Sequence, residues 1–130
     1  MRTLHPRIRR EIEKRDDELV QTARSLAEDL RKSLKKKDED KRRQLRNIQD
    51  IAESSDSWKA LELFIRYQAA RGEIDRAWAE SAIQHLGDLQ RTAKGLATQV
   101  AGADAGAIHL ALVSRVLGYA VRWHTWDTKA

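Results

Sequence analysis

The chain has no cysteine, one proline and six glycines among its 130 residues. Without cysteine it can form neither a disulfide framework nor a cysteine-ligated zinc site, which suits a reducing compartment. The few helix breakers and the absence of alternating β-branched residues predict an all-α protein. No apolar run approaches the ~18 residues of a membrane span, and the basic start leads into Glu11-Ile12-Glu13-Lys14 rather than an apolar signal core. We therefore expect a cytoplasmic protein that does not engage a membrane.

Patterns of catalysis and metal binding are also missing. The histidines at positions 5, 85, 109 and 124 include no pair at i, i+4 spacing, so no metal site is expected. There is no glycine-rich phosphate loop and no serine in a strand-turn-helix elbow, and Asp16-Asp17 belong to a charged helical face. We expect no enzymatic activity, no catalytic residue and no cofactor. His85 and His109, on mostly apolar segments, are expected to be buried or boundary histidines with internal partners.

Charge is plentiful but mixed. The chain has 25 Lys and Arg against 20 Asp and Glu, a net charge of +5 and a pI of about 9.7. Residues 1–56 carry 16 basic and 13 acidic side chains, and residues 57–130 carry 9 and 7, so neither half is a basic tail. A basic balance fits a nucleic-acid partner, because lysine and arginine displace counterions from phosphates. The same mixture is also typical of solvated helix surfaces.

The spacing of apolar residues predicts a compact bundle of about five helices with a long, charged N-terminal helix. That helix is marked by apolar residues at helical spacing, giving a narrow stripe suited to covering one partner helix: Ile8, Ile12, Leu19, Ala23, Leu26, Leu30 and Leu34. Residues 35–43 have no apolar side chain and are interpreted as a linker or frayed end. The prediction thus divides the chain into an N-terminal helix and linker, residues 1–40, and a bundle, residues 41–130.

Within the bundle, a short second helix precedes a third over residues 58–71, which Gly72 closes in the left-handed conformation. A fourth helix starts near Ile74 and continues to about residue 100. Residues 101–106 form a loop, and residues 108–123 are apolar on most faces. This last helix is therefore expected to be the most deeply packed.

Three arginines stand close together near the start of the bundle. Arg42 and Arg46 fall on one side of the second helix, with Arg43 flanking them, while Leu45 and Ile48 face inward. Such a surface can hold two or three phosphates. The alternative interpretation is a solvated face paired with acidic residues one turn further along.

The apolar third and last helices are each interrupted by arginines beside tyrosines. Tyr67 precedes Arg71 by one turn, so that ring and guanidinium can stack. The arginine fork suits phosphate, and it also suits a clamp between helices; Arg66, two turns after Lys59, faces the same choice. In the last helix we expect an internal partner for Arg115 and a ligand or subunit contact for Arg122.

Four tryptophans are many for a chain of this size. Trp58 and Trp78 fit the core of the bundle. Trp123 and Trp126, near a C-terminal end expected to be unstructured, are interpreted as a surface patch that a partner subunit covers.

Three segments resemble the small subunit of the type III-A (Csm) CRISPR effector complex. Residues 41–48 (Lys-Arg-Arg-Gln-Leu-Arg-Asn-Ile) are similar to a Lys-x-x-x-x-Arg-Asn helix of that family. Residues 64–71 are similar to its Phe-x-Tyr-Gln-Ala-x-Arg pattern, and residues 118–123 to its closing Ala-Tyr-x-x-aromatic pattern. The resemblance covers about residues 41–126, two-thirds of the chain. The first forty residues match no motif, and other type III systems have helical small subunits of similar size.

The resemblance implies a non-catalytic subunit of an antiviral ribonucleoprotein. Several copies of such subunits stack along the duplex of CRISPR RNA and target RNA, contact its backbone, and bridge the backbone subunits to the large polymerase-nuclease subunit. Sequence is read by base pairing, so phosphate contacts suffice. Carried onto this chain, the nucleic-acid contacts are six arginines: Arg42, Arg43, Arg46, Arg66, Arg71 and Arg122.

Two other functions remain open. A helical adaptor would bind only other proteins, using the N-terminal stripe as a coiled coil. A stand-alone regulator would bind duplex DNA, although no helix-turn-helix spacing is visible.

Overall fold

The computed structural model describes residues 4–33 and 36–129, and this part of the chain contains no strand. Its helices are α1 (Pro6–Glu13), α2 (Asp16–Lys32), α3 (Asp38–Ser54), α4 (Trp58–Ala70), α5 (Arg76–Ala97) and α6 (Ala105–Thr128). The prediction of an all-α bundle is confirmed, with six helices in the described residues in place of about five.

The single long N-terminal helix is not found, because the helix is interrupted between the end of α1 at Glu13 and the start of α2 at Asp16. The apolar stripe skips one turn there, where Arg15 and Asp16 occupy the inward positions. Arg15 bends back, and its Nη1 donates to the carbonyl oxygen of Glu11 at 2.9 Å. The stripe residues of both helices are buried in the same hydrophobic core as α3 to α6, so they do more than cover one partner helix. Leu34, the last of the expected stripe, lies outside the described residues.

The prediction of a linker over residues 35–43 is also wrong for most of that range, since α3 begins at Asp38. Three carboxylates, Asp38, Glu39 and Asp40, occupy the first turn of α3, where they interact favourably with the helix dipole. The ammonium group of Lys41 is buried and donates to the carbonyl oxygen of Ser33 at the end of α2. The lack of apolar residues suggested a linker, but polar interactions hold this segment in place instead. Lys35 lies outside the described residues.

Helix α6 lies at the centre of the bundle and packs against α2, α3 and α5. Its buried side chains occur on most of its faces, as expected. Asp104 caps its first turn by accepting from the backbone N–H of Gly106 at 2.9 Å. His109 is buried and its Nε2 lies 2.8 Å from the carbonyl oxygen of Leu86 on α5, which confirms the expected internal partner. Gly72, with φ of 77°, ends α4 as predicted.

The C-terminal end of α6 is tied to the start of α3. Arg42 Nη1 donates to Thr128 Oγ1 at 2.6 Å and lies 3.3 Å from Nδ1 of His124. Because a guanidinium can only donate, Nδ1 is the acceptor and the proton of the neutral imidazole sits on Nε2. His124 is fully buried. Burial lowers the pKa of His124 below its usual 6.5, and the cations of Arg42 and Lys41 oppose the raising effect of Asp38.

A second tie joins α6 to the first turn of α2. Arg115 donates from Nε to Asp16 Oδ1 at 2.7 Å and from Nη2 to Asp16 Oδ2 at 3.1 Å. The hydroxyl of Tyr119 donates to the same carboxylate at 2.9 Å. These bonds lower the pKa of Asp16, Arg115 contributing most. The internal partner expected for Arg115 is confirmed.

We expect the free energy of unfolding to decrease as the pH falls below about 6.5. The pKa values of His124 and His109 in the folded protein lie below their ordinary 6.5, so the unfolded chain binds protons in this range that the folded chain does not. Above the ordinary pKa this contribution is fully present. Urea titrations at a series of pH values between about 7.5 and 5.5 measure it. His124→Gln, which keeps an acceptor for Arg42, should show a smaller decrease. An equal decrease in His124→Gln would contradict the assignment.

We also expect Arg115→Ala to lower the free energy of unfolding by about 1–2 kcal/mol, because it leaves Asp16 with one of its two partners. Arg91→Ala is the matched control, since Arg91 is 84% exposed and approaches Asp88 only to 3.7 Å. Its effect should stay within about 0.5 kcal/mol. Chemical denaturation of both variants measures the difference, and equal values would show that the Asp16 tie contributes nothing beyond a surface charge.

Candidate nucleic-acid interface

Helix α4 directs Leu61, Ile65 and Gln68 into the bundle and leaves a long outward face. On that face Leu63 is 67% exposed and Tyr67, one turn later, is 56% exposed. The helix holds one carboxylate, Glu62. Its outward face is therefore apolar and aromatic, with basic side chains around it.

The arginine at the end of α4 is held in place by its neighbours. The guanidinium carbon of Arg71 lies 5.4 Å from the centre of the Tyr67 ring, as the one-turn spacing predicts, and Nη1 donates to Gln68 Oε1 at 3.2 Å. Gln68 is in turn fixed by its Nε2, which donates to Gln44 Oε1 of α3 at 3.0 Å. Arg71 is exposed, so its remaining N–H groups face solvent in a supported position.

Two exposed arginines lie one turn apart on the adjacent α3. Arg43 is 60% exposed and pairs with Asp40 at 2.8 Å; such a surface pair contributes only about 0.2–1 kcal/mol and can be exchanged for a phosphate. Arg46 is exposed, and within residues 4–33 and 36–129 its guanidinium makes neither a hydrogen bond nor an ion pair.

The bond between Gln44 and Gln68 joins α3 to α4 beside two of these arginines. Arg43 is the neighbour of Gln44 in sequence, and Arg71 bonds directly to Gln68. We call the set Arg43, Arg46, Tyr67 and Arg71 the α3–α4 surface. It presents three guanidinium groups and one aromatic ring from two packed helices.

Arg66 points to the other flank of α4. Its Nε lies 3.4 Å from Glu62 Oε2, and the side chain is 51% exposed. It lines a crevice of about 220 Å³ together with Arg76 and Glu80 of α5. Arg66 is accessible, but it lies beside the α3–α4 surface rather than within it.

Arg42 was expected to contact phosphate, and the structure contradicts this: the side chain joins two helices inside the bundle. Its side chain is 7% exposed, because its bonds to Thr128 and His124 draw it under the end of α6. The sequence prediction placed Arg42 beside Arg46 from their helical spacing. That spacing gives no information about α6, which covers this part of α3. A guanidinium that is this buried and already bonded inside the bundle is poorly placed to contact an RNA backbone.

Arg122 is exposed on α6, with its guanidinium carbon 5.5 Å from the centre of the Tyr119 ring. It lines an open groove of about 830 Å³ between α3 and α6, whose α3 wall carries Asp50 and Glu53. Carboxylates at this position repel phosphate. The groove therefore separates Arg122 from the α3–α4 surface.

The described residues hold no group of three His, Cys, Asp or Glu side chains placed to bind a metal ion. None of their helices is long and apolar enough to span a membrane.

The sequence interpretation missed the residues that connect the arginines to the fold. Gln68 continues the inward positions of Leu61 and Ile65, and this periodicity was the available signal that it is buried. Its partner Gln44 is a contact between separate helices, which no local pattern gives. His124 carried the same kind of signal as Gln68, since it continues the inward positions of Leu117 and Ala120 on α6.

Comparisons of the chain with protein-family models, with curated proteins and with solved structures find no match.

Proposed function

We propose that this chain is a non-catalytic RNA-binding subunit of a type III CRISPR effector complex. In this proposal the α3–α4 surface contacts the sugar-phosphate backbone of the duplex formed by CRISPR RNA and target RNA. The observation that carries the proposal is that two packed helices present three exposed arginines, Arg43, Arg46 and Arg71, the last of which lies beside the exposed Tyr67 ring. The resemblance of residues 41–48 and 64–71 to the small-subunit motifs falls on the same two helices.

The physical state of these arginines suits a backbone contact. Arg71 is pre-positioned by Tyr67 and Gln68, so binding costs it less side-chain entropy. Arg46 has no partner to give up among the described residues, and Arg43 gives up only an exposed ion pair with Asp40. Each can donate two parallel N–H bonds to a phosphate. Arg66, on the neighbouring flank, is an outer contact in this proposal.

Three or four phosphate contacts give weak binding by a single copy. Several copies on one duplex raise the total affinity through effective concentration, without any new contact. The proposed partners are therefore the duplex, further copies of this chain, the backbone subunits and the large polymerase-nuclease subunit. The proposed setting is antiviral defence in the cytoplasm, where target cleavage belongs to the backbone subunits.

A helical adaptor that binds only proteins is the second candidate. It is favoured by the exposure of Leu63 at 67% and Trp126 at 77%, because exposed large apolar side chains often mark protein interfaces. The adaptor and the RNA-binding subunit differ in one measurable property, which is salt-dependent affinity for duplex RNA.

We expect Arg46→Ala and Arg71→Ala each to weaken binding to a duplex RNA of about 20 base pairs, by a similar factor for unrelated sequences. Each variant removes about one phosphate contact, so the slope of log affinity against log salt should decrease in magnitude by about 1. Fluorescence anisotropy over a salt series starting from about 25 mM measures both quantities.

Two variants serve as controls for this experiment. Arg91→Ala removes the same charge from an exposed side chain on α5 and should leave the slope unchanged. Arg71→Lys keeps the charge but loses the fork, so affinity should fall while the slope is retained. A parent protein with no affinity at the lowest salt, or unchanged slopes in both alanine variants, would remove the α3–α4 surface from the RNA site and favour the adaptor.

A further inference from the structure

Three aromatic side chains and one arginine share a face of α6 near its C-terminal end. Tyr119, Arg122, Trp123 and Trp126 recur at three- and four-residue spacing, which places them on one side of a helix. Together with Val20 of α2 they line an apolar hollow of about 230 Å³. Trp126 is 77% exposed, so most of its ring faces solvent. We call these five residues the Trp126 hollow.

The inner rings of the hollow are held in place by the fold. Trp123 Nε1 donates to the carbonyl oxygen of Val20 at 3.0 Å, and the guanidinium carbon of Arg24 lies 4.5 Å from the centre of the Trp123 ring. The hydroxyl of Tyr119 donates to Asp16 at 2.9 Å. A surface already ordered in this way loses little entropy when a ligand covers it.

The charge at the hollow is positive. Among the described residues, Arg122 is the one charged side chain that lines it. Arg122 is exposed and makes neither a hydrogen bond nor an ion pair with them, so its fork is free to bind an anion. The carboxylate of Asp16 is bonded to Arg115, and the exposed Asp17 and Glu18 of α2 do not line the hollow. The hollow is therefore an aromatic site with a cation at its edge.

This combination suits a nucleotide. A nucleobase is planar and stacks on an aromatic ring whatever its sequence, and the phosphate attached to it is an anion that an arginine fork binds through parallel bonds. A base inside a duplex is already stacked on both sides, so an unpaired base is the one that can lie against Trp126. A protein partner fits less well, because stable protein interfaces bury about 800 Å² on each side, whereas this hollow has the size of one ring system.

We propose that the Trp126 hollow binds one unpaired nucleotide of a single-stranded nucleic acid. The base stacks on Trp126, and Arg122 binds the phosphate of the same nucleotide, which gives Arg122 the ligand contact expected from the sequence. The hollow lies between α2 and α6, whereas the groove with Asp50 and Glu53 lies between α3 and α6. Those carboxylates therefore do not line the phosphate site.

This inference goes beyond the proposed function and does not depend on it. The proposed function concerns the backbone of a duplex at the α3–α4 surface. The Trp126 hollow is a separate site, and it recognises a base that a duplex does not present.

NMR spectra of the indole N–H groups test the proposal, because the four tryptophans give one signal each. The probe is an oligoadenylate of about six nucleotides in about 50 mM salt. It should shift the signals of Trp126 and Trp123 and leave that of Trp78, which is buried in the core, unchanged. The matched control is an abasic strand of the same length, which carries the phosphates without the bases. It can bind the α3–α4 surface but should leave the Trp126 signal in place.

Variants separate stacking from a merely apolar contact, with binding followed at the Trp123 signal. Trp126→Tyr keeps a ring and should retain most of the affinity, whereas Trp126→Leu and Trp126→Ala should each weaken binding about tenfold. An unchanged Trp78 signal verifies that these variants fold. Arg122→Gln should weaken binding and reduce the magnitude of the salt slope by about 0.7. Arg91→Gln, at an exposed position on α5, should leave affinity and slope unchanged.

Several results would overturn the proposal. A Trp126 signal that does not move at about 1 mM oligoadenylate removes the site. An equal shift with the abasic strand means that phosphate alone is bound, and a Trp126→Leu variant that binds like the parent excludes stacking. A Trp126 signal that moves with protein concentration in the absence of nucleic acid assigns the hollow to a protein contact. Loss of duplex binding in the Arg46 and Arg71 variants affects none of these readouts.

Discussion

The bundle is held together by the burial of α6 against three other helices. Its apolar side chains face α2, α3 and α5, and burying each large one contributes about 1.5–3 kcal/mol relative to exposure. Two polar ties accompany this core, one near the middle of α6 and one at its last turn. Asp16 bonds to Arg115, and Arg42 bonds to Thr128. These bonds set where α2 and α3 lie along α6, while the apolar contact supplies most of the stability.

This arrangement decides which arginines remain available for a partner. Arg42 and Arg115 form hydrogen bonds between helices inside the bundle. On α3 the arginines that face away from α6 stay accessible, as do those on α4, which lies on the outside of the bundle. The proposed RNA surface thus consists of arginines that the contacts with α6 leave exposed.

The sequence predicted features that depend on local patterns. The period of the apolar residues gave the all-α class, the position of α4 and the depth of α6, and Gly72 marked the end of α4. It failed where a polar side chain makes a distant contact. Lys41 and Arg42 read as solvated charges because their partners, Ser33 and Thr128, belong to other helices. The apolar stripe has a gap at the point where the structure separates α1 from α2. The spacing alone did not show whether this gap lay within one continuous helix or marked a turn between two helices. For the candidate site, the stacking of Arg71 on Tyr67 followed from spacing, whereas the accessibility of each arginine required the tertiary structure.

We propose that this chain works within an RNA-guided complex. The most direct test is to purify the tagged protein from its native host, sequence the RNA that accompanies it and identify the associated chains. We expect guide RNAs derived from CRISPR repeats, together with a large subunit and several backbone subunits. Recovery of the protein alone, or of protein partners without guide RNA, would contradict it.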